Sequence, residues 1–184
     1  NNAHQWHLYF VDYSDKTEIT DDVTLEIMMT DLDRTVMEQF YKSAEDISAK
    51  EITRSAGISN LIPGQTTDEY MFDPCGYSMN GLFGDVYSTI HITPEAHCSF
   101  VSFETNIKAA DYTKVLNDVI TAFKPGRFTV SLFADSGALC GPSTFNAFNR
   151  EIGGFTCKSN AYHEFEGQYN VTVSNYVGRD FIGA

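Results

Sequence analysis

The sequence is short of positive charge: 12 lysines and arginines stand against 25 aspartates and glutamates, a formal net charge of −13. Such a surface repels phosphate backbones, which argues against nucleic acid as a partner and makes a small cation welcome. No apolar run approaches membrane-spanning length and no charged segment precedes an apolar one at the start, so neither a membrane nor a signal segment is indicated. Cysteines are few: Cys75, Cys98, Cys140 and Cys157 have neither close pairing nor zinc-like spacing, and they read as reduced thiols of a cytosolic protein. Linkers, long repeats and low-complexity tracts are missing as well. An initiator methionine is also lacking, and the chain opens at Asn1 close to a predicted strand, which points to a piece of something longer. What is there, 42% hydrophobic and 14% aromatic residues in 184, suffices for one domain with a substantial core.

Alternation of apolar and polar residues predicts the strands. Trp6 to Val11 fits a strand buried on both sides. Asp22 to Met29 puts Val23, Leu25, Ile27 and Met29 on one face and Asp22, Thr24 and Glu26 on the other. That row of carboxylates and a hydroxyl is either the solvated outer face of a half-buried strand or a cation site. Asp31 or Asp33 caps a short helix to about Lys42, with Leu32, Val36 and Phe40 inward. A capping box at Ser48-Ala49-Lys50-Glu51 opens a second helix that Gly57 closes, and Pro63-Gly64 turns the chain.

Ser88 to Thr93, with Thr89, His91 and Thr93 on one side, pairs as a hairpin with Cys98 to Glu104, which presents Cys98, Phe100, Ser102 and Glu104. The clearest helix runs from Asp111 to Phe123, with Tyr112, Val115, Leu116, Val119, Ile120 and Phe123 on one stripe. Pro125-Gly126 ends it and starts a strand, Arg127 to Ala134. Residues 135–149 read as a variable loop, Glu151 to Tyr162 and Tyr169 to Asn175 as the last strands, and 178–184 as a loose tail. The order β, β, α, α, β, β, α, β, β, β implies an α+β class, an antiparallel sheet with helices on one face.

The chemistry concentrates in Met71-Phe72-Asp73-Pro74-Cys75-Gly76-Tyr77-Ser78-Met79-Asn80-Gly81 and in His91-Ile92-Thr93-Pro94-Glu95. The turn formers Gly76 and Asn80-Gly81 place Ser78 on a tight exposed loop to which a strand delivers His91. A serine hydrolase is one reading, but Asn80 stands where the nucleophile elbow needs its second glycine. A metal site from Cys75, His91, His97 and Cys98 lacks the usual ligand spacing, so no metal is expected, and His97 and His163 read as strand-end residues. Asn170-Val171-Thr172 fits a glycosylation sequon but falls inside a predicted strand.

These two motifs, with Thr24-Leu25-Glu26-Ile27, Gln39-Phe40-Tyr41, Leu61-Ile62-Pro63-Gly64, Val101-Ser102-Phe103-Glu104-Thr105-Asn106 and Phe123-Lys124-Pro125-Gly126, resemble eukaryotic S-adenosylmethionine decarboxylase in order and spacing. The likeness weakens after Ala134. It implies a cytosolic enzyme of polyamine synthesis that decarboxylates S-adenosylmethionine to the aminopropyl donor for spermidine and spermine. Its cofactor is a pyruvoyl group, made from a serine as the proenzyme cuts itself, on which the substrate amine forms a Schiff base.

By the same resemblance, Ser78 and His91 match the pair that assists self-processing, Phe72 the ring that stacks on adenine, and Glu95 the carboxylate that grips the ribose. Asp22, Thr24, Glu26 and Glu104 match the acidic network that binds or mimics the activator putrescine. The Glu-Ser-Ser processing site is absent, so the pyruvoyl serine lies outside this chain. The resemblance therefore implies the second half of the proenzyme, residues 1–184 being one partial domain, roughly half of an α/β-β/α four-layer sandwich and inactive alone. Its partners would be S-adenosylmethionine, putrescine and the amino-terminal remainder, with a homodimer as a further candidate. The alternative is a non-catalytic regulatory relative that activates a partner decarboxylase.

Overall fold

Alternate burial along nearly every strand organises the chain into one antiparallel sheet. A computed structural model describes residues 9, 11, 20–42, 47–141, 148–165 and 169–181. Its strands are β1 (Val23–Leu32), β2 (Thr66–Met71), β3 (Tyr77–Phe83), β4 (Val86–Thr93), β5 (Phe100–Thr105), β6 (Pro125–Asp135), β7 (Phe155–Glu164) and β8 (Tyr169–Gly178). They form an eight-stranded sheet in the order β2-β3-β4-β5-β1-β6-β8-β7. The helices are α1 (Arg34–Met37), which runs into a 3-10 turn at Glu38–Phe40, α2 (Ala49–Ser55) and α3 (Thr113–Phe123).

One face of the sheet carries the core. Leu25, Ile27 and Met29 of β1, Ile90 of β4, Phe103 of β5 and Val130 and Leu132 of β6 are fully buried there, in one cluster with Leu116, Val119 and Phe123 of α3. Each such side chain contributes roughly 1.5–3 kcal/mol relative to exposure. The α+β class with helices on one face, read from the sequence, thus holds. On the other face Thr24, Glu26, Met28, Ser102, Glu104, Thr129 and Ser131 remain half-buried, with no helix over them among the described residues. The Asp33 carboxylate accepts from the Val36 amide at 3.1 Å, and Ser48 and Glu51 close the capping box of α2. Gly57 follows α2 with a left-handed φ of 76°, a conformation that costs a residue with a Cβ.

Several expectations need correction. Ser78 does not sit on a tight loop: it lies inside β3, half-buried, and β2 and β3 form a hairpin that the residue pattern did not announce. Of the turn formers named around Ser78, it is Gly76, with φ of 111°, that lies in the turn between the two strands. Gly81 instead lies within the strand, where an added Cβ would meet the side-chain amide of Gln65, so the glycine leaves room for that side chain. β5 begins at Phe100, two residues after Cys98, because the Cys98 amide bonds the Glu95 carbonyl at 3.0 Å in the turn. Thr113, not Asp111, opens α3, and Asp111 accepts from the Thr113 amide at 2.6 Å.

β7 starts at Phe155, since Gly153 and Gly154 both take positive φ in the turn before it. The segment expected as a tail from Gly178 belongs to the fold as far as Phe181, in a 3-10 turn whose Phe181 ring lies over Gly126. Of the strand expected at Trp6 to Val11 only Tyr9 and Val11 are described; they lie in no strand and are 89% and 66% exposed, so the reading of a strand buried on both sides does not hold at them, while its other residues, part of the 135–149 loop (142–147) and the end of the tail (182–184) fall outside the described residues.

This ledger of burial and caps predicts a ranking in urea unfolding. Leu116→Ala costs about 2–5 kcal/mol, and Ser48→Ala about 1 kcal/mol.

Candidate active site

The register of β3 and β4 sets Ser78 and His91 directly across from each other. Their side chains meet: Ser78 Oγ lies 2.8 Å from His91 Nδ1. Either the serine hydroxyl donates to an unprotonated Nδ1 or an Nδ1–H donates to the serine oxygen, and the tautomer decides which. His91 is exposed on the face away from the helices, so its ring is reachable by a reacting group.

Phe72 and Glu95 border the same place. A cavity of about 340 Å³ is lined by Phe72, Ser78, His91 and Glu95, together with Tyr77 and Pro94. Phe72 is held by the hairpin turn, where its amide bonds the Gly76 carbonyl at 2.9 Å and the Gly76 amide bonds the Phe40 carbonyl at 2.9 Å. Glu95 sits in the turn that follows β4. Cys75 also lines the cavity, and burial first, then the charge of Glu95, pushes its thiol above the ordinary range. A protonated thiol of this kind is a poor nucleophile. Four larger clefts, of about 530, 500, 420 and 410 Å³, lie elsewhere on the described residues, and none is lined by a hydrogen-bonded hydroxyl and imidazole like Ser78 and His91.

The acidic row lies on the same open face. Glu26 and Glu104 are direct cross-strand partners on β1 and β5, an arrangement that sets like charges opposite each other. Burial first, and then the charge of Glu104, raises the Glu26 carboxyl, while the Ser131 hydroxyl at 3.5 Å offsets part of the rise. Tyr87 ties the row together: its phenol donates to Glu104 Oε1 at 2.8 Å and is also hydrogen-bonded by Thr24. Asp22 accepts from the Tyr169 phenol at 3.3 Å, and the Tyr169 ring stacks on Phe133 with centroids 5.0 Å apart.

The structure therefore places Phe72, Ser78, His91 and Glu95 around one cavity, and Asp22, Thr24, Glu26 and Glu104 in a separate group further along the sheet. Tyr87 and Tyr169 were missed from the sequence. Tyr87 was legible, because it continues the alternation of Thr89 and His91 back along β4; Tyr169 reaches Asp22 only through the pairing of β6 with β8. Among the described residues no group of three or more His, Cys, Asp and Glu could hold a metal ion, and no helix is long and apolar enough to cross a membrane.

Comparison with known proteins gives a consistent picture. The family described as adenosylmethionine decarboxylase matches residues 1–177. The chain is 48% identical over 176 residues to the S-adenosylmethionine decarboxylase proenzyme of Dictyostelium discoideum, covering 95% of this chain and 46% of that protein. It is 41% identical over 177 residues to the proenzyme of Xenopus laevis, covering 95% of this chain and 52% of that one. The chain thus spans about half the length of the curated relatives it matches. The crystal structure of the Trypanosoma brucei AdoMetDC-delta26 monomer superposes with a TM-score of 0.74 at 32% identity, over 86% of this chain and 66% of that one.

The Glu26–Glu104 contact yields a pH-dependent prediction. A folded-state pKa above the ordinary 4.5 means that the fold holds this proton more tightly than the unfolded chain does. The stabilisation is full below that value and is lost as pH rises through the folded value, so at neutral pH the ionised pair opposes folding. Glu26→Gln accordingly raises the Tm at pH 7, and thermal denaturation at about pH 4 shows the advantage gone.

Proposed function

The chain belongs to the adenosylmethionine decarboxylase family, and we propose that it is the carboxy-terminal, large-subunit part of a pyruvoyl-dependent S-adenosylmethionine decarboxylase. The observation that carries this reading is the 2.8 Å contact between Ser78 Oγ and His91 Nδ1 on a cavity that Phe72 and Glu95 also line. The reaction removes the carboxylate of S-adenosylmethionine in the cytosol and gives the aminopropyl donor for spermidine and spermine.

A pyruvoyl group, formed from a serine of the amino-terminal remainder, supplies an electrophilic carbonyl that draws electrons as carbon dioxide leaves. The residues beside the cavity suit its formation. Ser78 offers a hydroxyl that donates a hydrogen bond at the processing junction. His91 removes a proton there, a task for which imidazole is the natural side chain near neutral pH. Phe72 presents a ring for the adenine to stack on. Glu95 accepts hydrogen bonds from the ribose hydroxyls, and its charge makes them stronger than neutral ones. This chain holds no pyruvoyl serine, so by this reading it does not decarboxylate without its remainder.

The acidic network answers to putrescine. Glu26 and Glu104 repel each other across β1 and β5, and a diamine with a charge at each end relieves that repulsion better than a single proton. Asp22, Thr24 and the phenols of Tyr87 and Tyr169 complete a polar setting around the pair.

Mass spectrometry of the full-length product tests the processing roles. The parent splits into two chains, one carrying a pyruvoyl terminus, and Ser78→Ala or His91→Ala slows the split by about 10²-fold or more. A parent that never splits yet activates a partner decarboxylase would be the regulatory relative, for which an intact Ser78–His91 pair has no use. Putrescine raises the Tm of the full-length protein, and Glu26→Gln together with Glu104→Gln removes that shift in a thermal scan.

A further inference from the structure

β2 carries a second aromatic residue on the open face. Tyr70 is the cross-strand partner of Ser78, so it shares that face with Ser78 and His91. Tyr70 and Phe72 are two residues apart along one extended segment and project to the same side. Both are far out of the core, 63% and 45% exposed, so the packing of this chain leaves them unburied.

The two rings nonetheless touch. Their centroids are 4.9 Å apart with the planes at 70°, an edge-to-face contact within the range where such pairs attract. The Phe72 side chain is limited on another side by the turn: a Cβ added at Gly76 would stand 3.6 Å from both Cβ and Cδ2 of Phe72. With Tyr70 on one side and the turn on another, the Phe72 ring keeps a surface toward the cavity of Ser78, His91 and Glu95. Tyr70 does not line that cavity. Among the described residues its phenol makes no hydrogen bond, so its ring and not its hydroxyl is what acts.

We propose that Tyr70 is a positioning residue, whose ring edge fixes the orientation in which Phe72 meets the nucleobase of the substrate. This rests on the nucleoside-stacking role given to Phe72 above. An exposed phenylalanine free to rotate would lose that freedom on each binding event; one already held by a neighbour loses less, so binding is tighter without any contact between Tyr70 and the ligand. By this proposal the contact orients Phe72 alike for the bound substrate and for the transition state, so it acts on binding and leaves the chemical step alone.

The test uses the full-length protein with Tyr70→Ala, Tyr70→Phe, Phe72→Ala and the Tyr70→Ala/Phe72→Ala double variant. The Kd for 5′-methylthioadenosine, which carries the nucleoside without the amino acid, is measured by calorimetry, beside KM, kcat and the self-cleavage rate. Tyr70→Ala raises Kd and KM about three- to tenfold, with kcat and self-cleavage unchanged. Tyr70→Phe restores the parent values, and Tyr70→Ala adds nothing in the Phe72→Ala background. The proposal is overturned if Tyr70→Ala binds like the parent while Phe72→Ala does not, or if Tyr70→Phe is as impaired as Tyr70→Ala. A Phe72→Ala protein that binds the nucleoside normally overturns the stacking role itself, and that of Tyr70 with it.

Discussion

One-sided burial of the sheet is the constraint on which the remaining geometry depends. In β1 the residues Val23, Leu25, Ile27 and Met29 are all buried, and those between them are not. A slip of one residue against β5 or β6 would carry Glu26 into the core and Leu25 out of it, at the cost of burying a charge and exposing a fully buried side chain. The hydrophobic pattern therefore locks the register. The same lock, passed from β1 through β5 and β4 to β3, sets Ser78 across from His91 and Glu26 across from Glu104. The two polar constellations are by-products of an apolar pattern on the opposite side of the same strands.

The open face is not an ordinary solvated one. It mixes the acidic row with half-buried Met28, Phe100, Phe133 and Val173, and like-charged Glu26 and Glu104 stand opposite each other where cross-strand pairing normally favours opposite signs. A surface selected only for solubility would not keep two carboxylates partly desolvated against each other. The proposed diamine role would relieve that repulsion, which a lone proton on Glu26 relieves only at acid pH.

Much of this was legible in the sequence, and the failures have physical causes. The alternation of β1, the cap at Asp33, the capping box at Ser48 and the apolar stripe of α3 are local signals, each written within a few residues, and each led to an element. The β2–β3 hairpin was hidden because glycine has two uses. Gly76 turns the chain with positive φ, whereas Gly81 makes room for Gln65 inside a strand, and the letters do not distinguish them. The acidic row, read from the alternation of its own strand, fitted a solvated face better than a site; only the opposing strand, 78 residues away for Glu26 and Glu104, made it a pair of facing charges. Tyr70 carried no motif, and its place beside Ser78 follows from the pairing of a strand that the pattern did not announce.

The topology also separates the two constellations along the sheet. β2 and β4 are each antiparallel to β3 and so point the same way, which brings Phe72 and Glu95, just beyond their carboxy-terminal ends, to one end of the sheet. β1 also runs with β4, since both are antiparallel to β5, so Asp22, Thr24 and Tyr87 gather at the opposite end. Ser78 and His91 lie between. Thr89, the partner of Glu104, is two residues from His91 on β4, so Glu104, the nearest member of the acidic row, is about 7 Å along and about 5 Å across from His91, and Glu26 one strand further. That is close to a Debye length in physiological salt, and a half-buried face screens less than bulk water. Both constellations therefore rest on β4, which carries Tyr87 beside one and His91 in the other, without any residue being shared between the two.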